Sequence, residues 1–308
     1  MNLLIVCSKN SGRIAPFIVE QADSLSKLRV EVDYFCIEGK GILGYLKNRK
    51  KLLLKIQEFT PNLIHAHYGL SGLLANSQRR IPVVTTYHGS DINIPRIFLL
   101  SRLNMLFSKH NIFVSEIQMM KSKLHGDCSV IPCGVDMDLF IPMDKQVARQ
   151  RLGINPDEKI ILFAGAFSTA VKNPELAKVA NGLVGNTNLI ELKGYNREEV
   201  AILLNAVDVL LMTSLTEGSP QIIKEAMACN CPIVSVDVGD VGQVIHNTTG
   251  CFITTYDPND VAEKLRQALS FAACTEGRGR IEEMGLDINT VAVKILKVYE
   301  KVLKSKLS

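Results

Sequence analysis

The sequence predicts an α/β protein built from two parallel-sheet domains, and three observations carry that prediction. The chain has 308 residues, which at roughly 100–200 residues per domain suits two domains of comparable size. Its composition, 47% hydrophobic and 21% charged, excludes disorder, collagen-like repeats and long coiled coils. Short apolar runs rich in β-branched residues alternate with amphipathic stretches along the whole length, the pattern of βα units wound about a parallel sheet.

The runs come in two series. The first comprises 2–7, 30–36, 63–66, 82–86, 111–115 and 129–132; after a charged segment at 144–151 the second series occupies 159–163, 188–192, 208–212, 233–236 and 250–254. Two Rossmann-like halves facing one another across a cleft are therefore expected, as domains 1–144 and 145–308 with a seam near 142–146 and a last helix able to pack back on the first domain. Ligands of such open sheets bind beyond the carboxyl ends of the strands.

Charge and cysteine usage narrow the function classes. With 35 Lys and Arg against 31 Asp and Glu, the net charge of +4 is too small for a nucleic-acid binder that relies on phosphate neutralisation. No apolar run reaches the roughly 18 residues of a membrane span, and the first residues lack the basic region of a signal peptide, so a cytoplasmic protein is expected. The eight cysteines contain no C-x-x-C pair, and the six histidines no H-x-x-x-H, so reduced core cysteines are expected and neither a metal nor a cofactor is implied.

The segment 216–232, T-E-G-S-P-Q-I-I-K-E-A-M-A-C-N-C-P, is the most informative. Ser219 is suited to cap a helix whose first turn begins with Pro220, since proline there loses only an N–H that has no helical partner. Asn230 tolerates the left-handed conformation of a helix end, and Pro232 stops the helix from resuming. The helix N-terminus then offers free N–H groups and a positive dipole end to an anion such as a diphosphate. Glu225 lies five residues past Pro220, roughly 7.5 Å along the axis at about 1.5 Å per residue, a reach that suits sugar hydroxyls attached to that phosphate. From spacing alone, an ordinary helix start with two solvated glutamates stands equally open.

With these residues in view the sequence resembles a known family. Glu217 and Glu225 are eight positions apart, and 214–228 resembles the E-x7-E segment of the retaining GT-B glycosyltransferases of family four, also called group one. The resemblance covers nearly the whole chain: L-I-H-A-H at 63–67, P-V-V-T-T-Y-H-G-S-D-I at 82–92, V-I-P-C-G-V-D at 130–136, and L-F-A-G at 162–165 followed by Lys172. It implies the GT-B architecture, a nucleotide-sugar donor held mainly by the C-terminal domain, and acceptor recognition by the N-terminal one. By the same resemblance Glu225 contacts the ribose and Glu217 the donor sugar, while Gly218, Ser219, Pro220 and Gln221 hold the diphosphate. Lys172 neutralises the leaving group, His88 lines the donor-sugar end, Tyr195 lies where backbone meets the base, and Gly12 marks the first phosphate-approach loop. Glycosyl transfer with retention develops negative charge on the departing phosphate, so fixed donors and a cation aimed there lower the barrier. Two bland readings stay open: His88 as a cap on the following turn, and Lys172 as a solvated lysine before the helix that starts at Pro174.

The chain also departs from the family pattern. Residues 165–171 contain no basic residue where an arginine is usual, Gly12 stands alone where a Gly-Gly pair is common, Cys133 replaces an asparagine and Asn230 a glycine. Lys9 or Arg13 is positioned to compensate in the first loop. Asp136 and Asp138 spell D-x-D, read as turn chemistry and not as a metal site. Residues 8–14 supply only Gly12 of the G-x-G-x-x-G that a dehydrogenase needs. The implied function is a metal-independent, retaining glycosyltransferase using a UDP-linked sugar on a saccharide or lipid-linked acceptor in surface polysaccharide or glycolipid synthesis. The alternative is a non-catalytic GT-B protein that binds a nucleotide sugar or glycan. Finally, Lys47, Arg49, Lys50, Lys51 and Lys55 alternate with leucines in one expected helix, either an ordinary amphipathic helix or a peripheral contact with an anionic membrane.

Overall fold

A computed structural model describes residues 1–10, 12–39, 41–271 and 274–305. The chain divides into two compact units, 1–134 with 288–308, and 135–287.

The first unit contains β1 (Asn2–Ser8), β2 (Glu31–Ile37), β3 (Leu63–His67), β4 (Val83–Tyr87), β5 (His110–Phe113) and β6 (Cys128–Val130), all parallel in the order β2-β1-β3-β4-β5-β6. Leu3 to Cys7 form an unbroken buried run, as a strand covered on both faces requires. One face is covered by the helices Pro16–Lys27 and Ile288–Lys304, through Ile18, Leu25, Ile295 and Tyr299. The other is covered by Leu52, Leu74 and Ala75 from Arg49–Phe59 and Gly69–Asn76.

The second unit contains β7 (Ile160–Phe163), β8 (Asn188–Glu191), β9 (Val209–Met212), β10 (Ile233–Val236) and β11 (Cys251–Thr254), parallel in the order β11-β10-β9-β7-β8. All eleven apolar runs of the sequence thus become strands. In each sheet the winding reverses once, between β1 and β3 and between β7 and β9, and that reversal opens a crevice at the strands' carboxyl ends.

Two sequence expectations change. The division falls at Gly134/Val135, not at 144/145, because Val135 and Phe140 are fully buried in the second unit's core. The Val135 N–H donates to Leu286 O at 2.9 Å, and Arg278 donates to the carbonyls of Phe140 and Met137. The expected single helix of 46–59 is instead two, Gly41–Leu46 and Arg49–Phe59. Asn48 interrupts it by turning its amide onto Gly44 O (2.8 Å) and Glu38 O (3.0 Å), the competition with helical bonding that asparagine offers. Among the described residues no helix is long and apolar enough to cross a membrane. All eight cysteines are free thiols.

Candidate active site

The crevice of the second unit lies beyond β7 and β9, and it gathers Lys172, Glu217, Gly218 and Ser219. After β7 the chain forms a short 3-10 turn, Ala170–Lys172, and the carbonyls of Lys172 and Asn173 accept the Thr213 hydroxyl at 2.9 Å each. The Leu215 N–H donates to Val171 O at 2.9 Å, so the strand extension after β9 holds that turn. Gly165 leaves room for the lysine stem: a Cβ there would stand 2.8 Å from Lys172 Cγ. Lys172 Nζ donates to Glu217 Oε1 at 2.6 Å. An ammonium has three N–H donors, so this bond leaves capacity for a phosphate oxygen.

The helix that carries the second glutamate spans Gln221–Ala228, with Pro220 as its N-cap residue. Ser219 does not cap it. Its hydroxyl donates to Asp240 Oδ2 at 2.5 Å, because the loop after β10 presses against the 217–219 turn: Gly239, at φ +65°, would place a Cβ 2.6 Å from Gly218 O. The helix ends as expected, with Asn230 left-handed at φ 55°. Lys224 is fully buried and donates to Gln221 Oε1 at 2.8 Å. Asp240 is buried beside it, with Oδ1 unpartnered; burial raises its pKa, against the Lys224 charge and the Ser219 bond, which lower it.

Glu225 is buried, and its carboxylate is met by Arg197 Nη1 at 2.6 Å. Arg197 opens the helix Arg197–Ala206, where Asn196 and Glu199 form a capping box, and its guanidinium sits 4.7 Å from the Phe140 ring centroid. Tyr195, half-buried, packs on the same core two residues earlier. Sequence reasoning missed Arg197 and Asp240, since neither belongs to the motif that singled out its partner.

The first unit's crevice carries His88 among aromatic and imidazole rings, with the Asp91 carboxyl under its loop. His67 Nδ1 and His88 Nε2 are 2.9 Å apart, and His88 Nδ1 is 3.6 Å from Cys133 Sγ. His67 Nε2 is buried without a partner, so the network is met at least cost with the proton on His67 Nδ1, donated to His88. Tyr68, held at φ 74°, and Phe17 pack their rings against His88. Beneath, His65 bridges Tyr299 Oη (2.6 Å) and Thr86 Oγ1 (2.7 Å). Burial, then the neighbouring ring, holds His65 and His67 well below the usual histidine range. Buried Asp91 accepts the N–H groups of His88 (3.1 Å) and Gly89 (2.9 Å), and burial pushes its carboxyl up to about 6 against those bonds. The His88 loop therefore has its own cap in Asp91, and His88 is not that cap.

Gly12 is in a bend at φ +90°, its N–H donating to Lys9 O at 2.9 Å. Asp136 makes turn bonds, accepting the N–H groups of Asp138 (2.9 Å) and Leu139 (3.1 Å).

Residues 5–139 match the family model described as Glycosyltransferase Family 4, and residues 137–270 the one described as Glycosyl transferases group 1. D-inositol 3-phosphate glycosyltransferase of Mycobacterium sp. (strain KMS) is 25% identical over 271 residues, covering 72% of this chain and 62% of that one. The chain thus spans less than two thirds of the length of the curated relatives it matches. Sucrose-phosphate synthase of Thermosynechococcus elongatus superposes with a TM-score of 0.84 at 18% identity over 99% of both chains. Anabaena HepE in complex with UDP superposes with a TM-score of 0.76 at 16% identity, over 98% of this chain and 100% of that one. At such identities the structural likeness establishes the fold, an α/β architecture of two Rossmann-like domains.

Proposed function

The chain belongs to the group 1 glycosyltransferases, and from that membership we propose that it moves a sugar from a UDP-linked donor to a saccharide or lipid-linked acceptor. The observation that carries this reading is the pairing of Lys172 with Glu217 beside the Gly218–Ser219 turn, at the point where the second sheet reverses its winding. The UDP bound by HepE supports the choice of nucleotide.

In the proposed reaction the bond from C1 of the sugar to the diphosphate oxygen breaks, and its electron pair stays on the diphosphate. The acceptor oxygen bonds to C1 on the same face, and its proton passes to the departing phosphate oxygen. No enzyme nucleophile and no metal take part. Lys172 meets the growing phosphate charge while Glu217 fixes its ammonium and faces the sugar. Gly218, Pro220 and Gln221 shape the phosphate turn, with Ser219 tethered to Asp240. Glu225, already balanced by Arg197, retains lone pairs for the ribose, and the backbone at Tyr195 meets the base. His88, its ring set between His67 and Cys133, lines the sugar end, and the Gly12 loop serves the acceptor side. A lipid-linked acceptor would bring the chain to a membrane face.

The test is release of nucleoside diphosphate from a panel of nucleotide sugars, with and without saccharide acceptors, in excess chelator. Release from a UDP-sugar in chelator supports the reading. Tight donor binding without release in any format supports the non-catalytic alternative, and rescue by a divalent ion overturns metal independence.

A further inference from the structure

β3 ends on His67 and β4 on Tyr87, and the strand register sets His67 beside Thr86. His88, the first residue past β4, thereby meets the end of β3, with its Nε2 standing 2.9 Å from His67 Nδ1. Two neutral imidazoles at that distance share a single hydrogen bond, and its direction fixes the tautomer of both rings. If His67 donates from Nδ1, His88 keeps its own proton on Nδ1. If His88 donates from Nε2, His67 keeps its proton on Nε2.

Burial decides between the two. His67 is fully buried and its Nε2 has no partner, so a proton there would be an N–H donor cut off from both water and acceptor. A cationic His67, protonated on both nitrogens, is excluded by its burial and by the adjacent His88 ring, which hold it well below the usual histidine range. His65 stacks on His67 with ring centroids 4.5 Å apart but spends its nitrogens on Tyr299 Oη and Thr86 Oγ1. The proton of His67 therefore lies on Nδ1, and that of His88 lies on its own Nδ1. This second N–H faces Cys133 Sγ at 3.6 Å, and sulfur is a weak acceptor. An asparagine, the residue usual at position 133 in the family pattern, would offer an amide oxygen instead. The rings of Phe17 and Tyr68, with centroids 4.8 and 4.7 Å from that of His88, brace it against turning over.

We propose that His67 is a positioning residue for the transfer reaction: it locks His88 as the Nδ1–H tautomer, and Cys133 gives that N–H up to a hydroxyl oxygen of the donor sugar. The inference rests on the transferase reading, in which His88 lines the sugar end, and adds to it where the proton sits and what holds it there. Exchanging a thiol contact for a hydroxyl costs little, because a neutral oxygen is the better acceptor. The bond orients the sugar, while the nucleotide supplies most of the donor's affinity, so a lost orientation is read in kcat and not in donor KM.

Nitrogen NMR of the whole chain with isotope-labelled histidine reads the tautomer directly, and the His88 signals are those lost in His88→Ala. Without donor or acceptor, the wild type should show His88 protonated on Nδ1 and bare on Nε2. Two variants then part hydrogen bonding from packing: His67→Phe keeps a ring and removes the donor, whereas His67→Asn removes the ring and keeps an amide nitrogen on Cγ, where Nδ1 stood. His88 should become a mixture of tautomers in His67→Phe and stay Nδ1–H in His67→Asn. With a UDP-sugar, His67→Phe should lower kcat for nucleoside diphosphate release about tenfold with donor KM changed less than about twofold, and His67→Asn should recover kcat to within about threefold of wild type. A packing role reverses that order, since phenylalanine fills the space and asparagine empties it. The reversed order, equal losses in both variants, or a wild-type His88 protonated on Nε2 overturns the proposal. The spectra need no turnover, so the two readings fail separately: an Nε2–H His88 in a chain that releases nucleoside diphosphate defeats the positioning role alone. An Nδ1–H His88 in a chain that releases none from any nucleotide sugar defeats the transferase reading, and the sugar contact with it.

Discussion

The two crevices share one topology and differ in what they bury. Beyond β1 and β3 the first unit stores neutral rings, with His65, His67 and His88 tied to Thr86, Tyr299 and one another. Beyond β7 and β9 the second unit stores compensated charge: Lys172 with Glu217, Arg197 with Glu225, and Lys224 near Asp240. A neutral network shapes a surface and stays dry, whereas paired ions can exchange one partner for an incoming anion with little reorganisation. On the proposed reading, charge stabilisation would fall to the second unit and shape to the first.

The sharpest way to break this contrast is to remove Lys172. With no basic residue in 165–171, Lys172 is that segment's sole cation for the leaving group. Lys172→Ala should lower nucleoside diphosphate release on the order of 100-fold or more, the scale for losing a charged transition-state partner. His88→Ala should reduce turnover more than donor affinity, without approaching that loss. Wild-type release by Lys172→Ala would remove the second unit's claim to the chemistry.

Next in size is the Arg197–Glu225 ion pair, proposed to meet the ribose. Arg197→Ala removes the guanidinium from the buried Glu225 carboxylate; broken buried pairs cost about 3–5 kcal/mol, and the partial exposure of Arg197 brings this one to about 2 kcal/mol. Urea unfolding should show that loss, and Glu225→Gln combined with Arg197→Ala should recover part of it. Calorimetry should find that Glu225→Gln weakens both free UDP and UDP-sugar, while Glu217→Gln separates them. An Arg197→Ala protein as stable as wild type would mean that Glu225 is not held by charge.

How far the sequence reached obeys the same division. A strand covered on both faces, such as β1 or β9, needs only a short apolar run and was legible without pairing information. Glu217, Glu225 and Lys172 were singled out because they stand in the motifs that carry the family resemblance. Arg197, Asp240 and His67 were not: each meets its partner 28, 21 and 21 residues away, across neighbouring elements whose adjacency only the folded sheet defines. The boundary was misplaced because Val135 and Phe140 would suit either core. The Asn48 interruption hides inside an amphipathic pattern that Leu46 and Leu52 continue on both sides.

The neutral network makes the first unit the acid-sensitive one. Below pH 6.5 the unfolded chain binds protons at His65 and His67 that the folded chain excludes, so stability falls as the pH falls. His110, also lowered by burial, acts in the same direction. Asp91 opposes them between about 6 and 3.8, where the folded state takes its proton first. Denaturant titrations from pH 7.5 to 5 should show a fall that sets in near 6.5 and becomes shallower below about 6, where Asp91 takes up its proton, and a smaller fall in His67→Phe. A flat profile would sink the contrast between neutral and charged crevices.

The smallest effect tests whether Ser219 acts on its helix or on Asp240. As a helix cap, its loss would cost about 1 kcal/mol whatever occupies position 240. As a clamp, its hydroxyl serves a buried carboxylate whose other oxygen is already unpartnered, so the cost depends on that carboxylate being present. Ser219→Ala alone should lower stability by about 1–2 kcal/mol, and the 153-residue second unit should lose roughly 2–4 °C of Tm per kcal/mol. In the Asp240→Asn background a neutral amide replaces the costly buried charge, and Ser219→Ala should then cost less than about half as much. UDP affinity should change less than about threefold in Ser219→Ala, because the backbone N–H groups that face a phosphate remain. A cycle with no coupling between positions 219 and 240, measured by thermal and urea unfolding, would return Ser219 to the helix and leave Asp240 as a buried charge answered by Lys224 alone.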